Sequence, residues 1–157
     1  MENQVVARIM TRSPVTLTAD TTLEDAARTM LDRGIGSVLV VDPDGRLIGI
    51  VTESDFCTRE RGIPFSTFRA PVLLGRWIGK RNLDAIYREA RAVPVRDIMS
   101  SPVYTVDEEG TLADVLDTMH TRRVEQVPVV REGRPVGIVA RHDLLKLMLD
   151  RIAVAIR

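Results

Sequence analysis

"VARIMTRSPVTLTADTTLEDAARTM", residues 6 to 30, returns as "VRDIMSSPVYTVDEEGTLADVLDTM", residues 95 to 119. "GIGSVLVVDPDGRLIGIVTESDF" (34–56) returns as "RVEQVPVVREGRPVGIVARHDL" (123–144). Equivalent residues stand 88 or 89 positions apart, with slips of one residue in the loops. One supersecondary unit used twice is therefore the first property of this chain, ahead of any local propensity.

Each unit reads as β-α-β-β-α. An extended piece (Val15–Thr18; Val103–Val106) leads into a stretch where Leu23, Ala26, Ala27, Met30 and Leu31 recur at helical spacing. Thr21 or Thr22 stands where a helix cap belongs. Then come a β-branched strand ("SVLVV" or "QVPVV"), a turn ("DPDG" or "REG") and a return strand ("LIGIV" or "PVGIV"). A second helix opens at Thr52 or Ala140. Strands that are apolar almost without interruption predict burial on both faces. Pro128, inside "QVPVV", predicts that this copy of the strand lies at a sheet edge. Met10, Met30, Met99 and Met119 occupy equivalent positions and read as core. The fold class is mixed α/β (α+β).

The chain of 157 residues is 45% hydrophobic, enough for a core, and only 4% aromatic, so that core is aliphatic. Lys and Arg number 22, as do Asp and Glu, so no net field points to nucleic acid or a membrane surface. Cys57 is the single cysteine, which excludes an internal disulfide and fits a reducing compartment. No signal-type segment or apolar run of spanning length is present, and the expected location is the cytoplasm. Two histidines and one cysteine without metal spacing predict no metal site, and Cys57 beside a helix start reads as a packing residue rather than a nucleophile.

The organisation read from the sequence is unit 1 at 5–56, a linker at 57–94, unit 2 at 95–148 and the end of the last helix at 149–157. The linker is basic, eight residues against three acidic, and "NLDAIYREARAV" within it reads as helical. Its arginines are dispersed among apolar residues, so a solvated face is preferred over a nucleic-acid surface. Phe65, Phe68, Val72, Leu73, Leu74 and Trp77 should cover something. The last helix, "LLKLMLDRIAVAIR", is apolar on more than one face and predicts a homodimer surface.

Two β-α-β-β-α units, each with an "IM…P" opening and a G-I-V-x-x-x-D return strand, resemble the CBS (cystathionine-β-synthase) domain. A pair in one chain is similar to a Bateman module. The resemblance covers Val5–Phe56 and Val95–Met148. It implies two units related by a pseudo-twofold axis, with two clefts that hold an adenosine ligand: AMP, ADP or ATP, with S-adenosylmethionine and NAD as further candidates. It also implies a dimer, no catalytic chemistry and no required cofactor.

"GIVTESD", Gly49 to Asp55, matches the family's G-h-x-[ST]-x-[ST]-D signature in full. A carboxylate such as Asp55 can accept two ribose hydroxyls, and Thr52 and Ser54 can donate to phosphate from a helix start. The alternative needs no ligand, because Thr52-x-x-Asp55 is also the spacing of a capping box. In the second copy, "GIVARHD", the hydroxyls are gone while Asp143 remains, and this tips the reading toward binding, on the premise that a cap would lose the aspartate first.

The resemblance further implies that the aspartate of one unit faces the other unit. One cleft would join Ile50, Thr52, Ser54 and Asp55 to Thr105, Val124 and Glu125, with Arg122 and Arg123 near the phosphates. The other would join Ile138, His142 and Asp143 to Thr16, Ile35 and Gly36, with Arg33 nearby. The first is favoured for a nucleotide. The function expected is a stand-alone regulatory protein that binds an adenosine nucleotide and signals to an unknown effector protein by rearrangement. A ligand-free dimerisation scaffold is the alternative.

Overall fold

A computed structural model describes residues 5–57, 72–73, 76–77, 88 and 91–155. The linker helix and the aromatic residues of the linker lie outside the residues whose side chains are described. The chain divides into two compact bodies. The first comprises Met1–Val15, Asp44–Leu47 and Pro102–Arg157, and the second Thr16–Pro43 and Ile48–Ser101. These bodies are not the sequence periods. Each is completed by the lead-in segment that precedes the other repeat.

The second body is built on β2 (Thr16–Thr18), α1 (Leu23–Arg33), β3 (Ser37–Val41), β4 (Leu47–Thr52) and the short α2 (Glu53–Cys57). Its sheet runs β2-β3-β4, with β2 parallel to β3. Thr22 caps α1, its hydroxyl oxygen accepting the Asp25 N–H at 3.2 Å, which satisfies one of the orphan donors of the first turn. Leu23, Ala26 and Met30 are buried. Leu31 is not, being 81% exposed; the inward stripe is narrower than the sequence suggested, since Leu31 lies a further 100° around the helix from Met30. Val95, at the start of a short 3-10 turn (Val95–Asp97), is fully buried here. Its N–H reaches Thr21 O at 2.8 Å, and Val93 O accepts the Leu23 N–H at 2.8 Å. A strand-like exchange joins Ile50 and Ser100, at 3.2 and 2.9 Å. A small antiparallel pair, β5 (Val72–Leu73) and β6 (Arg76–Trp77), also falls in this body.

The first body repeats the plan with β7 (Val106–Asp107), α3 (Leu112–Arg122), β8 (Gln126–Arg131), β9 (Arg134–Ala140) and α4 (Arg141–Ala155). The lead-in residues 6–12 add a 3-10 turn and β1 (Thr11–Arg12), giving the order β1-β9-β8-β7. Thr111 and Asp114 form a full capping box on α3. The core is aliphatic, with Val6, Val115, Val127, Val129 and Val139 fully buried and Ile9, Met10 and Met119 beside them. Each such side chain is worth about 1.5–3 kcal/mol of transfer free energy. Met30 in the other body is also buried and Met99 half-buried.

Pro128 does not mark an edge strand, because β8 lies between β9 and β7. The ladder from β7 reaches only Val129 and Val130. At Pro128 itself no β7 partner is present, so the missing N–H interrupts nothing on that side. Glu108, which follows β7, is buried and accepts from Arg131 Nε at 2.5 Å, with Arg12 Nη1 at 3.7 Å. This pairing ties the lead-in segment to the β7–β8 end of the sheet.

Candidate functional site

The second body holds Ile50, Thr52, Ser54 and Asp55 of one predicted cleft and Thr16, Ile35 and Gly36 of the other. Ile50 and Thr52 close β4, while Ser54 and Asp55 lie in the first turn of α2. Ile35 and Gly36 precede β3, and Gly36 O accepts the Glu53 N–H at 3.2 Å, which holds that bare backbone against the start of α2. Thr16 begins β2.

Asp55 Oδ2 accepts the Thr52 N–H at 2.8 Å and the Thr52 hydroxyl at 3.2 Å. The half-buried carboxylate therefore makes the carboxylate half of the capping box that the alternative invokes. Ser54 is exposed.

The first body likewise holds residues of both predicted clefts. Ile138 lies in β9, and His142 and Asp143 in the first turn of α4. Glu125 precedes β8, and its carbonyl accepts the Arg141 N–H at 3.1 Å, the same backbone contact that joins Gly36 and Glu53. Asp143 is 9% exposed, and its Oδ2 accepts the Ala140 N–H at 2.9 Å. The premise that a structural cap would lose its aspartate before its hydroxyl is therefore incorrect. A backbone N–H needs no side chain, so Asp143 caps α4 although Ala140 carries no hydroxyl.

Thr105 and Arg122–Glu125 fall in the first body as well. Arg122 ends α3 with its guanidinium 4.5 Å from the centre of the Tyr104 ring, a cation–π contact. Arg123 adopts the left-handed conformation, φ 53°, in the place held in α1 by Gly34 at φ 61°. Val124 N–H closes the helix on Met119 O at 3.2 Å. Basic residues at a helix C-terminus also complement its dipole.

Sequence reasoning missed three participants. Lys146 Nζ lies 3.5 Å from Asp143 Oδ1, and Arg141 Nη1 lies 3.0 Å from Glu125 Oε1. The i,i+3 spacing of Asp143 and Lys146 was a legible signal. Tyr104 carried none, because its contact with Arg122 depends on tertiary placement. Among the described residues no group of His, Cys, Asp and Glu could hold a metal ion, and no helix is long and apolar enough to cross a membrane.

The chain matches the CBS domain family at residues 6–61 and again at 95–150. An uncharacterized protein of Methanocaldococcus jannaschii is 32% identical over 150 residues, covering 96% of this chain. This chain spans only 33% of that relative's length. Among solved structures, a CBS domain pair in complex with 5′-methylthioadenosine and S-adenosyl-L-methionine shares 23% identity at a TM-score of 0.69, covering 94% of this chain and 98% of its own. CBSX2, solved in complex with AMP, shares 19% identity at a TM-score of 0.69, covering 94% of this chain and 97% of its own. Those two likenesses concern the fold. The repeated family match, over both halves of a chain that folds as two β-α-β-β-α bodies, establishes that this protein belongs to the CBS domain family as a tandem pair.

Proposed function

We propose that the protein is a regulatory CBS pair that binds an adenosine ligand of the AMP, ADP or ATP class and passes the signal to a partner protein in the cytoplasm, without catalysis of its own. The observation that carries this reading is the second body's sheet end. There Asp55, Thr52 and Ser54 stand together at the start of α2. A carboxylate for the ribose hydroxyls and hydroxyl donors for phosphate suit an adenosine ligand. The complexes of family relatives with AMP and with methylthioadenosine and S-adenosylmethionine support the ligand class. The mechanism is linkage: a ligand that prefers one arrangement of the chain shifts the population toward it, and the partner reads that shift.

The exposed residues Leu145, Met148 and Leu149 form an apolar stripe on α4. We assign it to a homodimer surface. That stripe, with both aspartates engaged as caps, also favours a second reading, in which the pair is a ligand-free dimerisation scaffold. A thermal-shift panel of AMP, ADP, ATP, S-adenosylmethionine and NAD on wild type, Asp55→Ala and Asp143→Ala separates the two. Ligand at a hundred times its dissociation constant stabilises by about 2.7 kcal/mol, or about 5–10 °C for a chain of this size. Absence of any shift on ligand-free protein selects the scaffold.

A further inference from the structure

The contact of Tyr104 with Arg122 is one that the two repeats do not share. The Arg122 guanidinium lies 4.5 Å from the centre of the Tyr104 ring, and Arg123 follows it in the left-handed conformation at φ 53°. By strand register Val15 stands in the first repeat where Tyr104 stands in the second, two residues before the equivalent pair Leu17 and Val106. Gly34 takes the place of Arg123. Arg33, the counterpart of Arg122, therefore has no ring at that position and no arginine after it. A cation–π contact draws on the charge of the guanidinium and leaves N–H donors for other acceptors. Among the described residues neither Arg122 nor Arg123 pairs with a carboxylate, whereas Arg12, Arg28, Arg96, Arg131 and Arg141 all do. Glu125, two residues on, is engaged by Arg141 at 3.0 Å. The dipole of α3 accounts for basic residues at its C-terminus, but not for an arginine where glycine holds the same backbone at lower cost.

We propose that Tyr104 is a positioning residue: it holds Arg122 in place beside Arg123, and the two arginines take the phosphate chain of the adenosine ligand. The inference rests on the adenosine reading above and narrows it. Paired arginines select the anionic ligands AMP, ADP and ATP against S-adenosylmethionine, whose sulfonium adds a positive charge. An arginine loses rotamer freedom when it meets phosphate, and a side chain already held by a ring loses less. An exposed cation–π contact contributes about two- to fivefold in affinity by this route.

Calorimetric titration of the full chain with adenosine, AMP, ATP and S-adenosylmethionine tests this. Wild type should bind ATP more tightly than adenosine or S-adenosylmethionine. Tyr104→Val, which copies the first repeat, should weaken ATP about two- to fivefold and leave adenosine unchanged, while Tyr104→Phe should keep the wild-type values. On an Arg122→Gln background Tyr104→Val should have no further effect. An ATP affinity untouched or raised by Tyr104→Val overturns the proposal, as does an equal loss for adenosine, or S-adenosylmethionine bound more tightly than ATP. If Tyr104→Val does not fold by circular dichroism, Arg122→Lys should give the same loss, because lysine keeps the charge without the planar fork, and no loss overturns the proposal. Failure of the adenosine reading is a separate result, wild-type protein that binds none of the four, and the inference falls with it.

Discussion

Met99 packs its side chain directly onto Gly49, so that a Cβ at position 49 would lie 2.8 Å from Met99 Cγ and 3.1 Å from its Cβ. Met10 meets Gly137 in the same way, at 2.8 and 3.1 Å. The glycine of the G-I-V frame thus admits the methionine of a lead-in segment.

Gly49→Ala should therefore destabilise the chain by about 1–3 kcal/mol through overpacking, since the crowded atoms include the base of the methionine and not only its flexible tip. Met99→Ala should cost about 2–3 kcal/mol alone. The double variant should cost less than the sum, because the methyl then fills space that the thioether left. Urea melts of the four proteins check this, and additivity would mean that the two residues do not share a contact in solution.

Arg123 holds a backbone conformation that costs a non-glycine residue about 1 kcal/mol or more, whereas the equivalent residue of the other repeat is Gly34. Arg123→Gly should raise the stability of ligand-free protein by up to about 1 kcal/mol, net of the freer unfolded chain. If Arg123 also meets phosphate, the thermal shift given by AMP should shrink in the same variant while that given by adenosine stays. A destabilised variant would show that the arginine makes a stabilising contact outweighing its backbone cost.

The capping box of α3 sets an acid limit. Hydrogen bonds from the Thr111 N–H, at 2.7 Å, and the Thr111 hydroxyl, at 2.8 Å, hold the Asp114 carboxyl below its ordinary value of 3.8. A depressed folded-state value means that the unfolded chain binds the proton first as pH falls. The stabilisation is complete above the unfolded value and is lost as pH drops through the lower folded value. Asp114→Asn should lower stability near neutral pH and flatten the decline below about pH 4 in thermal melts. A variant whose acid limb is as steep as wild type's would remove Asp114 from the account.

Much of the fold was legible because its signals are local. Leu23, Ala26 and Met30 gave the inward stripe of α1, Thr21 or Thr22 gave its cap, and the β-branched runs gave β3 and β8. Three features depended on partners that periodicity does not name. The lead-in residue Val95 is buried in the body built from the preceding repeat, and no pattern within one repeat says which copy of a sheet an appended segment will join. Pro128 sits in a central strand because β7 is short. Asp143 persists without a hydroxyl neighbour because its donor is the backbone of Ala140. At the candidate site the motif residues and the i,i+3 spacing of Asp143 and Lys146 were readable, whereas the Arg141–Glu125 and Arg122–Tyr104 contacts depend on tertiary placement.

Asp55 carries two separable roles, and substitutions of different kinds divide them. Asp55→Asn keeps an oxygen that can accept from the Thr52 N–H, so the cap largely survives and ligand-free stability should fall by no more than about 0.5 kcal/mol. Asp55→Ala removes the cap as well and should cost about 1 kcal/mol. Both lose the charged acceptor for ribose, so both should abolish the shift of about 5–10 °C expected from saturating nucleotide. Asp143→Asn should leave most of that shift in place, because Ala140 and His142 stand where Thr52 and Ser54 supply hydroxyls. Differential scanning fluorimetry of the three variants with and without AMP decides the matter. A full nucleotide shift in Asp55→Asn would reduce Asp55 to a helix cap, and a shift lost only in Asp143→Asn would move the primary site to the first body.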